Sequence, residues 1–189
     1  MVKEVLRKVM ENKGNSWNIK MNEYMRKTDM TKEILYEMSR SELRKKVREV
    51  DKKYWLKEMG NLKTLEMYMK YKSDIKDEPI YDNRISSMWL FRARSNSLKL
   101  NQRAYFLKPN HKIEDKICNL CEEEEESLEH FMLKCNKLER KRNYELINRF
   151  KGSNIKETLG LLLFETRGED LELIKEMITN MWETREKLL

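Results

Sequence analysis

Residues 118–135 read CNLCEEEEESLEHFMLKC and hold all three cysteines of the chain and one of its two histidines. The spacing is Cys118-x2-Cys121-x8-His130-x4-Cys135. Two cysteines two residues apart form a knuckle whose turn aims both sulfurs at one ion. A later histidine and cysteine complete the tetrahedron that zinc prefers. Thiolates with one imidazole favour Zn2+ over magnesium or calcium. Ser127 is placed to cap a short helix, LEHFMLKC, with His130 near its start and Cys135 about a turn on. All four positions are filled by side chains, so the spacing predicts a closed, structural site. Free buried thiols are one alternative. A redox Cys-x-x-Cys is another, but it would follow a strand in a βαβ unit, and none is visible. His111 reads as a loop residue. An odd cysteine count fits poorly with a secreted disulfide framework.

Outward from this stretch the pattern is helical. Apolar residues recur at three and four along 2–12, 17–28, MTKEILYEMSR (30–40) and 41–59, and the pattern continues through 61–72. In 41–59, Leu43, Val47, Val50 and Tyr54 alternate with Arg44, Lys45, Lys46, Arg48, Lys52 and Lys53, giving an apolar stripe under a basic face. Residues 73–83 are polar, contain Pro79 and read as a linker. Beyond it, 84–94 suits a buried helix turn and SNS (95–97) interrupts. A basic helix is expected over 136–151, an apolar buried segment over 155–164 and a terminal amphipathic helix over 169–188. The expected fold is all-α, with a small zinc unit at 118–135. Residues 1–72 form a basic helical region, 73–83 a linker and 84–189 a zinc-containing helical region, with C-terminal helices over 136–189.

Composition excludes several classes. The chain has 189 residues, of which 39% are charged, with 5 Gly and 2 Pro. So few breakers argue against an all-β sandwich or barrel. No GxGxxG or GxxxxGK[ST] phosphate loop occurs. No apolar run approaches the ~20 residues of a membrane span. The mixed start, Met1 to Asn12, does not read as a secretory signal. A soluble, intracellular protein, nuclear or cytoplasmic, is expected, with no membrane partner. Residues 1–100 carry 24 basic and 15 acidic side chains, and residues 101–189 carry 16 and 18. The first half therefore suits a polyanion.

The segment RARSNSLKLNQRAYF…KICNLCEEEEESLEHFMLKCNKL resembles the C-terminal segment of reverse transcriptases from non-LTR (LINE-type) retrotransposons. The match rests on an Arg-containing stretch, FRARSNSLKLN, followed by Cys118, Leu120, Cys121, an acidic run, Leu128, Glu129, His130 and Cys135. It covers residues 54–150. The resemblance implies a segment downstream of the polymerase core that helps hold template RNA or target DNA. No Asp-Asp pair occurs, so the polymerase carboxylates are missing. No endonuclease or RNase H constellation is visible either. The chain reads as a detached tail without catalytic residues, not an enzyme.

Two functions follow. The first is binding of RNA or single-stranded DNA. Arg92, Arg94, Lys99 and Arg103 would meet phosphates upstream of the knuckle, and Lys137, Arg140, Lys141 and Arg142 downstream. Trp89, Tyr105 or Phe106 would stack on bases. The second is a host-adopted protein-interaction or regulatory role that keeps the zinc fold, with a protein partner or self-association through the C-terminal helix 169–188.

Overall fold

A computed structural model describes residues 16–28, 30–72, 74, 78, 82–107 and 112–189. The helix expected over 2–12, His111 and most of the 73–83 segment lie outside the described residues. The fold is mostly helical, as the residue spacing predicts, and no strand occurs among the described residues. The chain divides into two compact units, Met1–Lys57 and Glu58–Leu189.

In the first unit, α1 (Ser16–Thr28) and α2 (Lys32–Glu37) are followed by α3 (Arg40–Gly60), whose last three residues belong to the second. Met25 and Met30 are buried among Met21, Tyr24, Leu43 and Val47. The Tyr24 hydroxyl donates to Asp51 Oδ1 at 2.9 Å, tying α1 to α3. Ser39 caps α3. Its Oγ accepts from the Glu42 amide, and Glu42 Oε2 accepts from the Ser39 amide, a reciprocal capping box. No residue of α3 is fully buried, and Arg44, Lys45, Lys46, Arg48 and Lys53 are exposed.

In the second unit the continuous helix expected over 61–72 is interrupted. A 3-10 turn (Lys63–Leu65) leads into α4 (Glu66–Tyr71). Then come α5 (Ile85–Arg94), α6 (Asn101–Leu107), a 3-10 turn (Ile113–Lys116) and the metal-site segment. A 3-10 turn (Asn136–Lys141), α7 (Tyr144–Arg149), α8 (Ile155–Phe164) and α9 (Gly168–Leu188) complete it. The basic helix expected over 136–151 is thus two pieces. The break falls where Arg142 turns inward and the Asn143 side chain caps α7 by accepting from the Leu146 amide at 2.9 Å.

The core is built on α9, whose Leu171, Ile174, Ile178, Met181 and Trp182 recur at three and four and are buried. The apolar face of 169–188 is therefore buried inside its own unit. Leu90 and Ala93 of α5 and Leu159, Leu162 and Leu163 of α8 join it. Trp89 stacks on Trp182 at 4.7 Å, and Phe131, from the metal-site segment, meets the same indole edge-on at 6.0 Å. Tyr71 stacks on Phe164 at 5.3 Å and lies against Gly160, where a Cβ would overlap its ring. A surface clasp fixes the start of α5. Arg84 pairs with Asp82 and, through both terminal nitrogens, with Glu172 of α9.

Candidate metal centre

Residues 116–126 form a miniature hairpin. Ile117 and Glu125 make an isolated antiparallel bridge. The Cys118 amide donates to Glu124 O at 2.9 Å, and the Glu126 amide to Lys116 O at 2.8 Å. The turn closes with the Glu122 amide on Cys118 O, and Glu122 adopts a left-handed φ of 60°. That reversal turns Cys118 and Cys121 toward the same side.

Ser127 caps the next segment as its spacing predicts: its Oγ accepts from the His130 amide at 3.0 Å. Over His130–Lys134 the helix widens to a π register, with the Cys135 amide on His130 O at 2.8 Å. In an α-helix, residues five apart point about 140° apart. The i→i+5 register returns them to one face. The widening thus explains how a His-x4-Cys spacing serves one site.

The ligand atoms of Cys118, Cys121, His130 and Cys135 all lie within 4.8 Å of one another. Cys118 Sγ is 3.9 Å from Cys135 Sγ, and Cys121 Sγ is 3.3 Å from His130 Nε2. Sulfurs about 2.3 Å from a tetrahedral ion sit about 3.8 Å apart, so the cluster fits an ion of zinc's size. Cys118 and Cys135 are 1% exposed and His130 3%. Burial pushes the Cys118 and Cys135 thiols up, so thiolates there require a cation. With Nε2 facing the sulfurs, Nδ1 faces Glu124 Oε2 at 3.5 Å. The Glu124 carboxyl is held below its usual range, first by Lys134, then by His130. That contact is an ion-pair distance and not a hydrogen bond, so Nδ1 is buried without a hydrogen-bond partner.

The other acidic residues of 122–126 are not equivalent. Glu123 accepts from Asn136 Nδ2 at 3.0 Å, and Glu125 from Gln102 Nε2 at 3.2 Å. Glu126 is 1% exposed and takes both Nε and Nη2 of Arg185, at 2.6 and 2.8 Å. Its Oε2 also accepts the Asn101 amide at 2.8 Å. Asn101 Nδ2 in turn donates to Ile117 O at 2.5 Å and Asn119 Oδ1 at 2.9 Å. Glu126, Arg185 and Asn101 therefore hold the knuckle onto α6 and α9. Reading the sequence missed all three: one glutamate in a run of five carries no distinguishing mark.

The basic residues singled out from the sequence divide into two groups. Arg94 is buried and structural. Its Nε donates to Leu163 O at 2.5 Å, its Nη1 to Glu78 at 2.7 Å, and its guanidinium covers the Phe164 ring. Arg142 is buried too, donating to Met132 O at 3.0 Å and Cys135 O at 2.7 Å. Both are withdrawn from any external phosphate. Lys99, Lys137, Arg140 and Lys141 are exposed, and Arg92 and Arg103 are half-buried. Arg92 lies over the Trp89 ring at 4.9 Å, and Arg103 donates to Asn96 O at 2.6 Å. Of the proposed stacking residues, Trp89 is engaged with Trp182 and Tyr105 with Lys116 at 4.2 Å. The Phe106 side chain lies outside the described residues.

Among the described residues no helix is long and apolar enough to cross a membrane. No family model, curated protein or solved structure matches the chain.

Proposed function

We propose that Cys118, Cys121, His130 and Cys135 hold one structural zinc ion. On this reading the chain is a non-catalytic module that binds RNA or single-stranded DNA, related to the tail of LINE-type reverse transcriptases. Zinc, when bound, cross-links the hairpin to the π-helical turn and supplies no reaction. Three thiolates and one imidazole leave it no open position. A reducing nuclear or cytoplasmic compartment suits such a thiolate site.

One observation carries the binding role. Lys137, Arg140 and Lys141 are exposed on the 3-10 turn that begins immediately after Cys135. Arg142 fastens the far end of that turn to the Cys135 and Met132 carbonyls. The metal ligand and the cations are thus one rigid stretch. Closing the site orders the cations without their side chains taking part in it. Lys99, Arg92 and Arg103 extend the basic set upstream. Contacts of this kind go to phosphates, so affinity is salt-dependent with little sequence preference.

The test is fluorescence anisotropy with 12-nucleotide RNA and DNA single strands at several salt concentrations. The Lys137→Ala/Arg140→Ala/Lys141→Ala variant should keep its metal. Its log–log salt slope should fall by about 2, from three lost contacts at about 0.7 each on a single strand. No binding by the parent protein at low salt would reject the reading in favour of a protein-interaction role.

A further inference from the structure

A cleft of about 420 Å³ opens on the second unit between α4, the end of α5 and α8, within the ~300–1,000 Å³ usual for ligand pockets. Resting on the nucleic-acid reading above, we propose that this cleft seats one nucleotide of the bound strand. The phosphate lies on Lys63, Lys70 and Lys156, and the base on an apolar floor.

The floor and rim have the chemistry of that ligand. Ala93 and Leu159 are fully buried at the base, with Leu128 6% exposed and Met67 and Tyr71 half-buried beside them. Met67 and Tyr71 expose the apolar surface on which a ring would rest, with the buried residues behind them. Lys63, Lys70 and Lys156 are exposed on the lining. Lys63 and Lys156 make no ion pair among the described residues. Lys70 reaches the Tyr71 ring at 5.4 Å, and the Glu157 carboxyl is held below its usual range first by Ser153 and only lastly by Lys70. Arg94 also lines the wall, but Glu78 and Leu163 O already hold its guanidinium, so it shapes the cleft without offering a free charge.

The cleft also has carboxylates, Glu66 and Glu129, and the neutral polar groups Thr64, Asn96, Gln102 and Ser127. Two acids against three available lysines disfavour a polyphosphate and suit a single phosphodiester. The carboxylates can accept from the exocyclic amine of a base. Asn96 joins the cleft to the basic surface described above, because its carbonyl takes the Arg103 guanidinium at 2.6 Å. A strand leaving the cleft at Asn96 meets Arg103 next.

The experiment compares the full chain with Lys63→Ala/Lys70→Ala/Lys156→Ala, matched for metal content and circular dichroism. The probe is a fluorescein-labelled 12-nucleotide RNA. A second RNA carries 4-thiouridine for photo-crosslinking. The lysine variant should bind at least about tenfold more weakly at low salt, with a salt slope reduced by about 0.7, the share of one phosphate on a single strand. The crosslink should map to residues 67–71 or to Asn96. Variant affinity equal to the parent's, or a crosslink confined to other segments, overturns the cleft proposal while leaving the binding role intact. Failure of the parent protein to bind overturns both.

Discussion

Glu126→Gln is the sharpest test of how the metal unit is anchored. The side chain is 1% exposed, and Arg185 opposite it is 6% exposed. Two charge-assisted hydrogen bonds, at 2.6 and 2.8 Å, join them, and the Asn101 amide adds a third at 2.8 Å. Glutamine nearly preserves the volume, so no cavity forms. The substitution instead leaves a buried guanidinium against Trp182 without its counter-charge. Removing one member of such a pair costs about 3–5 kcal/mol. Urea unfolding of the metal-loaded protein, followed by circular dichroism, should show the midpoint falling by at least about 1 M. Adding Arg185→Met should recover a large part of the loss, since the uncompensated charge goes with it. Glu123→Gln, in the same acidic run but exposed, should change stability by less than about 0.5 kcal/mol. A loss under about 1 kcal/mol for Glu126→Gln, the scale of an exposed pair, would refute this reasoning.

Two further outcomes can be checked alongside it. Gly160→Ala should cost about 1–3 kcal/mol in the same unfolding assay, because its methyl must displace the Tyr71 ring from Phe164. A neutral effect would mean that α4 does not pack on α8 as described. The second concerns acid. The Asp82 carboxyl is depressed below its ordinary 3.8, first by Ser87, then by the Arg84 amide, and Glu172 is lowered by Arg84 and Lys175. A depressed carboxylate stabilises the fold above its unfolded pKa and loses that stabilisation as pH falls through the folded value. Asp82→Asn should therefore destabilise at pH 7 and converge on the parent well below pH 3.8. A difference that persists unchanged into acid would contradict that assignment.

The four candidate ligands were legible as one cluster because their chemistry is rare and their spacing tight. Helix register was legible too: Leu171, Ile174, Ile178, Met181 and Trp182 are buried as their periodicity requires. Charge was harder to read. Arg92 and Arg94 share a charge, yet two residues along a helix point about 200° apart. Arg94 follows Leu90 by four and lands on the buried stripe, a signal already present in the spacing. Nothing local marks Arg142 for burial. Its partners are the Met132 and Cys135 carbonyls, which converge on one guanidinium only in the folded segment. The same holds for Glu126, whose partner lies 59 residues away.

The proposed zinc ion, held by three thiolates and one imidazole, organises residues 118–135. Metal analysis with zinc X-ray absorption on the purified protein tests this most directly. About one zinc per chain is expected, with three sulfur neighbours at about 2.3 Å and one nitrogen at about 2.0 Å. Metal should be lost together with ordered structure in Cys118→Ser. A zinc-free protein that keeps its fold, or a zinc shell built from oxygen, would contradict it.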